Sequence, residues 1–201
     1  MPHNPAKHRT GLDLRNPLVF DTKDLGPGVA RTLTRTVPAP RDLGAGMAGI
    51  PAGADLELTV QLEGVSEGTL VTATAAGPLT GECARCLEPF SSQIGVTFQE
   101  LFVREEAAAE TDDAEDSYQL DGSGLLDLEP ALRDAIVLDL PLSPLCEPDC
   151  RGLCAECGVR LAEAGPGHRH EQQGAMWAAL KDFRTDQEDG AGTVPGQAKE
   201  Q

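Results

Sequence analysis

The chain has 201 residues, a formal net charge of −17 and only 3% aromatic residues. That length holds one ordinary domain of about 100 to 150 residues plus a small appendage, and it excludes two full-size domains. The acidic balance excludes a surface that coats nucleic acid indiscriminately, and no stretch approaches the roughly 18 apolar residues of a membrane span.

Residues 1–16 carry Pro2, Pro5 and scattered charges, and are expected to form a disordered leader. Their lack of an apolar run argues for a cytoplasmic protein. Order is expected to begin near Leu18–Phe20. Residues 1–41 hold seven Lys or Arg against three acids, a net of +4, so the remaining 160 residues carry −21. Any contact with RNA is therefore expected in this segment, with Arg31 and Arg35 as candidates, although a basic arm folded over an acidic body reads equally well.

Between Val37 and Gly53, three prolines and four glycines leave room only for loops or short irregular strands. Asp55–Leu62 alternates strictly, placing Leu56, Leu58, Val60 and Leu62 on one face of a half-buried strand. Thr69–Ala76, rich in β-branched residues and set off by Gly64 and Gly68, is the expected antiparallel partner. A further strand pair is expected around Ile94, Val96 and Phe98, with Cys83 and Cys86 at its turn. Residues 100–121 hold nine acids, and the span 104–121 is expected to be a mobile acidic loop. Asp127 is placed as the cap of a helix with Pro130 in its first turn, Leu128, Leu132, Ile136 and Leu140 on one face, and Pro141 as its stop. A last short helix with Met176, Trp177, Leu180 and Phe183 precedes a disordered tail at 184–201. The expected fold is α+β, an antiparallel sheet or meander at 17–141 covered by one or two helices, with a small Cys/His lobe at 142–183.

The chemistry concentrates in that lobe. Cys146, Cys150, Cys154 and Cys157 fall within twelve residues, followed by His168-Arg-His170. In a reducing compartment such spacing points to metal rather than disulfides, and sulfur with imidazole selects zinc. Gly158, just after the second cysteine of Cys154-x-x-Cys157, permits the positive φ of a zinc-knuckle turn. One zinc takes four ligands, and three assignments remain open. The first is Cys154, Cys157, His168 and His170. The second joins Cys146 and Cys150 to the knuckle pair. The third has two ions, with Cys83 and Cys86 completing a site with Cys146 and Cys150. As a redox pair, Cys83-x-x-Cys86 lacks the βαβ context of thioredoxin-like motifs.

No Gly-x-Ser-x-Gly, phosphate loop or His-Glu-x-x-His occurs, so the expectation is a non-enzyme without a small-molecule substrate. The segments Gly81-Glu-Cys83-Ala-Arg-Cys86-Leu-Glu-Pro89, Gln99–Val103, Asp127–Pro130, Arg133–Pro141 and Pro144-Leu-Cys146 through Gly158 resemble the YceD family, the large ribosomal RNA subunit accumulation proteins, in a form similar to that of high-GC Gram-positive bacteria. His168-x-His170 stands where many relatives have Cys-x-Cys, which keeps zinc ligands and favours the first assignment. Gly174-Ala-Met departs from the Asp-Pro-Arg usual in the family's closing segment. The resemblance implies a role in processing and accumulation of precursor 23S ribosomal RNA and in large-subunit assembly, with that RNA or assembly proteins as partners. A zinc-stabilised adaptor that binds only protein is the rival reading, and a redox-sensing thiol switch comes third.

Overall fold

A computed structural model describes residues 11–41, 43–104 and 117–170. Residues 1–10 of the expected leader, 105–116 of the acidic loop, the expected helix around Trp177 and the tail at 184–201 lie outside the described residues. The chain divides into two compact units, Met1–Glu163 and Ala164–Gln201.

The first unit is mostly antiparallel sheet with one helix among the described residues. In chain order it runs β1 (Val19–Asp21), β2 (Ala30–Pro38), β3 (Leu43–Ala45), β4 (Ala48–Ile50), β5 (Asp55–Gly64), β6 (Gly68–Glu82), β7 (Pro89–Val103), β8 (Tyr118–Gln119), β9 (Leu125–Asp127) and α1 (Glu129–Asp139). β5 pairs with β2 on one side and β6 on the other, and β6 pairs with β7 along its whole length. β6 is longer than Thr69–Ala76 suggested. It continues through Gly77 and Pro78, which lie past its last pair with β5 at Ala76 and before its first pair with β4 at Thr80. A proline without an N–H is tolerated where one flank of the strand has no partner.

Register and alternation then assign every side chain a face. Leu56, Leu58, Val60 and Leu62 are all but fully buried, and Val71, Ala73, Ile94 and Val96 share their side. The opposite face carries a row of threonines, Thr34, Thr59, Thr74 and Thr97, paired in register across four strands. One face is thus core and the other solvated, the usual state of an antiparallel sheet.

β1 pairs with β9, and Leu18, Phe20, Leu126 and Leu128 join the same buried cluster. α1 adds Leu132, Ile136 and Leu140 at i, i+4 spacing. Its N-cap is Leu128, one residue later than expected, and no side chain caps it. Asp127 still contributes, since its carboxylate accepts the Glu129 N–H at 3.1 Å. Leu140 turns extended ahead of Pro141, as the residue before a proline prefers, which ends the helix. Residues 117–121, expected inside the acidic loop, instead carry β8: Tyr118 stacks on Phe102 at 5.3 Å and Leu120 is buried.

β2 had no counterpart among the expected strands. Thr32, Thr34 and Thr36 line its exposed side, while Arg31, Leu33, Arg35 and Val37 face the core side. Two of those inward positions are charged, which hides the period-2 apolar signal.

Candidate metal centre

The β6–β7 turn is Cys83–Glu88, and its backbone is tightly prescribed. The Leu87 N–H donates to the Cys83 carbonyl at 2.9 Å, and the Cys83 N–H donates to the Glu88 carbonyl at 2.8 Å. Leu87 adopts φ +61 to close this ring. The Cys154–Val159 turn repeats the pattern: Gly158, φ +71, donates to the Cys154 carbonyl at 2.9 Å, and Cys154 donates to the Val159 carbonyl at 2.8 Å. Two segments about 70 residues apart therefore form the same knuckle.

Residues 144–153 fold against the first knuckle. The Ala84 N–H donates to the Pro144 carbonyl at 2.8 Å, and Arg85 donates from Nη1 to the Cys150 carbonyl at 2.9 Å. Gly152, at φ +75, lies so close to Arg85 that a Cβ there would stand 3.1 Å from the Arg85 carbonyl oxygen. These contacts bring the Cys83 and Cys150 sulfurs to 3.7 Å and the Cys86 and Cys146 sulfurs to 3.6 Å. All four sulfurs lie within 4.8 Å of one another. Cys83, Cys86 and Cys150 are buried, with Leu145 and Leu153 packed against them, while Cys146 is exposed.

Those separations discriminate between chemistries. A disulfide needs sulfurs at about 2.05 Å, and none of the six cysteines forms one. Sulfurs at the corners of a tetrahedron about 2.3 Å from its centre are about 3.8 Å apart, which the paired distances approach. The donor set therefore fits a closed tetrahedral metal site. Burial pushes the Cys83 thiol up, but the N–H groups of Cys146, Cys86 and Arg85 outweigh burial and bring it down to about 6. Burial, then the sulfurs of Cys150, Cys86 and Cys83, push Cys146 up to about 12. Four neighbouring sulfurs cannot all ionise in the absence of a cation.

Of the donors in the first assignment, Cys154 and Cys157 lie on a knuckle of the first unit, and His168 and His170 lie in the second unit. Within that knuckle, Leu153 bridges Arg160 and the Leu161 N–H donates to the Gly152 carbonyl at 2.9 Å. Arg160 also forms an ion pair with Glu88, joining the two knuckles. In the second unit, whose described residues are 164–170, the His168 and His170 rings meet edge to face with Nε2 atoms 3.0 Å apart. The structure thus places Cys146 and Cys150 with Cys83 and Cys86, not with the Cys154–Cys157 pair as the second assignment had it. Sequence reasoning did not single out Leu87, Arg85, Glu88 or Arg160. The available signal was the match of Cys-x-x-Cys-Leu-Glu to Cys-x-x-Cys-Gly-Val.

Arg31 and Arg35 are placed differently from a free basic arm. Arg31 pairs with Asp24 at 3.3 Å and donates to the Asp21 carbonyl, while Arg35 donates to the Pro17 carbonyl at 2.9 Å and stacks over the Phe20 ring at 4.6 Å. Both guanidiniums tie β1 and its flanks to the sheet. Arg35→Ala is expected to destabilise the fold by about 2–4 kcal/mol, the sum of a charge-assisted hydrogen bond and a cation–π contact. A urea midpoint equal to that of the wild type would refute this.

A family model described as large ribosomal RNA subunit accumulation protein YceD matches residues 71–184. The uncharacterized protein Rv2926c of Mycobacterium tuberculosis is 43% identical over 180 residues, covering 89% of this chain and 85% of that protein. Mb2951c of Mycobacterium bovis matches to the same extent. The uncharacterized protein ML1660 of Mycobacterium leprae is 38% identical over 176 residues, covering 87% and 81%. No solved structure matches.

Proposed function

The chain belongs to the YceD family, and from that premise we propose that it is a cytoplasmic, non-enzymatic factor. It supports processing and accumulation of precursor 23S ribosomal RNA, and through it large-subunit assembly. The observation that carries this reading is the family match, which runs through both knuckles and α1. No helix among the described residues is long and apolar enough to cross a membrane.

Zinc is the metal this reading assigns, at two ions per chain. An all-sulfur set and a set of two sulfurs with two imidazoles suit a borderline-soft ion that accepts tetrahedral geometry, and they suit magnesium or calcium poorly. Four protein ligands per ion leave no open position for substrate, which supports a structural rather than a catalytic role. Depleting the protein in its own organism is expected to raise the ratio of precursor to mature 23S ribosomal RNA and to lower the large-subunit yield. An unchanged ratio at full depletion would end the reading.

A protein-only adaptor gains support from Arg31 and Arg35, whose charge is spent on internal carbonyls and Asp24. Reversing them would disturb the fold and the RNA contact together. Arg15, Lys23 and Arg41 are exposed cations of the same segment, so changing all three to Glu is the cleaner test. If contact with RNA is direct, the affinity of the purified protein for precursor RNA should fall and its salt dependence flatten. Unchanged affinity, or none to begin with, would favour the adaptor.

A further inference from the structure

Leu87 is the one non-glycine residue with left-handed backbone among the described residues. For a leucine that conformation costs about 1–2 kcal/mol. The second knuckle meets the same demand with Gly158 and makes the same two hydrogen bonds. The turn therefore needs a positive φ here and no side chain. Nor does the side chain repay its strain in packing: it is 55% exposed and absent from both buried clusters. A strained and exposed apolar residue that returns nothing to the folded state points outward, to something it binds.

Further exposed apolar side chains stand on segments tied to its knuckle. Leu142, fully exposed, lies two residues before Pro144, whose carbonyl is held by Ala84 in the Leu87 knuckle. Val159, 37% exposed, precedes Arg160, which pairs with Glu88 directly after Leu87. Three exposed apolar side chains thus stand on segments fastened to one another by a hydrogen bond and an ion pair. Four exposed carboxylates, Glu82, Glu147, Asp149 and Glu156, lie in or beside these segments in sequence against two exposed guanidiniums, Arg85 and Arg151, a local excess of acid.

We propose that Leu87 anchors a docking surface for a basic protein, entering an apolar pocket bordered by Lys and Arg. An apolar core within a polar rim is the usual anatomy of a protein interface. The flanking carboxylates, and the net −21 carried beyond residue 41, attract a cationic protein and repel phosphate. Identifying the partner as a large-subunit protein rests on the proposed ribosomal role.

The test uses the full-length, metal-loaded protein carrying a fluorophore. It is titrated with proteins extracted from salt-washed large ribosomal subunits and, separately, with RNA from the same particles. Saturable binding of the protein fraction is expected, weakened about tenfold or more by Leu87→Gly and by Leu87→Asn, both of which tolerate positive φ, and kept by Leu87→Met. Metal content and thermal midpoint are measured for each variant, and Leu87→Gly is expected to keep the metal and, with the strain relieved, to unfold no lower than the wild type. Equal binding of the protein fraction by wild type, Leu87→Gly and Leu87→Asn would overturn the anchor and leave the ribosomal reading standing. So would binding of the RNA fraction alone. Binding of neither fraction would overturn both.

Discussion

Cys83→Ser is expected to remove one zinc equivalent and to release residues 144–153 from the sheet. Cys83 is fully buried at the end of β6, and its sulfur lies 3.7 Å from that of Cys150. Apart from the metal, the strip that supplies Cys146 and Cys150 is held by one hydrogen bond from Ala84, one from Arg85, the contacts of Leu145 and Leu153, and the ties of Gly152 and Leu153 to Arg85, Leu161 and Arg160. Structural zinc contributes about 10–16 kcal/mol of apparent folding free energy in small metal-dependent units, far above what those contacts supply. The sheet has its own core, so the loss should be local. Native mass spectrometry is expected to show one ion in place of two, and hydrogen exchange to show lost protection at 144–153 with β5 and β6 unchanged. Cys157→Ser should also cost one ion while leaving the four-sulfur site loaded. Equal metal content in wild type and Cys83→Ser would remove the four-sulfur assignment.

Leu58→Ala is expected to be the most destabilising single change within the sheet, at about 2–5 kcal/mol. Leu58 has no exposed surface, sits at the centre of β5, and pairs with Arg35 on one side and Ala75 on the other. Ala75 is too small to fill the cavity left behind, and the neighbouring strand is held in register along its length. Thr74→Ala, on the solvated face of the adjoining strand, should change stability by no more than about 0.5 kcal/mol. Urea unfolding of the two variants checks both values. Equal effects would mean that the buried and solvated faces of the sheet are wrongly assigned.

The readable parts of the fold were those where one element carried its own signal. Leu56, Leu58, Val60 and Leu62 alternate without interruption, so β5 followed from period alone, and β6 followed from its β-branched run. The face of α1 was legible from Leu128, Leu132, Ile136 and Leu140, because i, i+4 spacing is a local property of the helix. Its cap was misplaced by one residue since Asp127, with a carboxylate suited to capping, stands beside the true cap, Leu128. β2 went unread because Arg31 and Arg35 occupy inward positions, and only the fold brings the carbonyls of Asp21 and Pro17 and the Phe20 ring to receive them.

The candidate site divides in the same way. Spacing and residue type alone pointed to the cysteines and histidines as candidate metal ligands, since the donor chemistry belongs to the side chains themselves. Which donors Cys146 and Cys150 join depends on contacts between residues some 60 positions apart, such as Ala84 with Pro144 and Arg85 with Cys150. Cys150 is as close in sequence to Cys154 as to Cys146, so spacing alone was indifferent to the choice. The antiparallel pairing of β6 with β7 puts Cys83 and Cys86 at one tip, and the chain leaving α1 is drawn across it. Tertiary structure thereby decided which sulfurs meet, because ligand distance is set by the path of the backbone through space and not by its order along the chain.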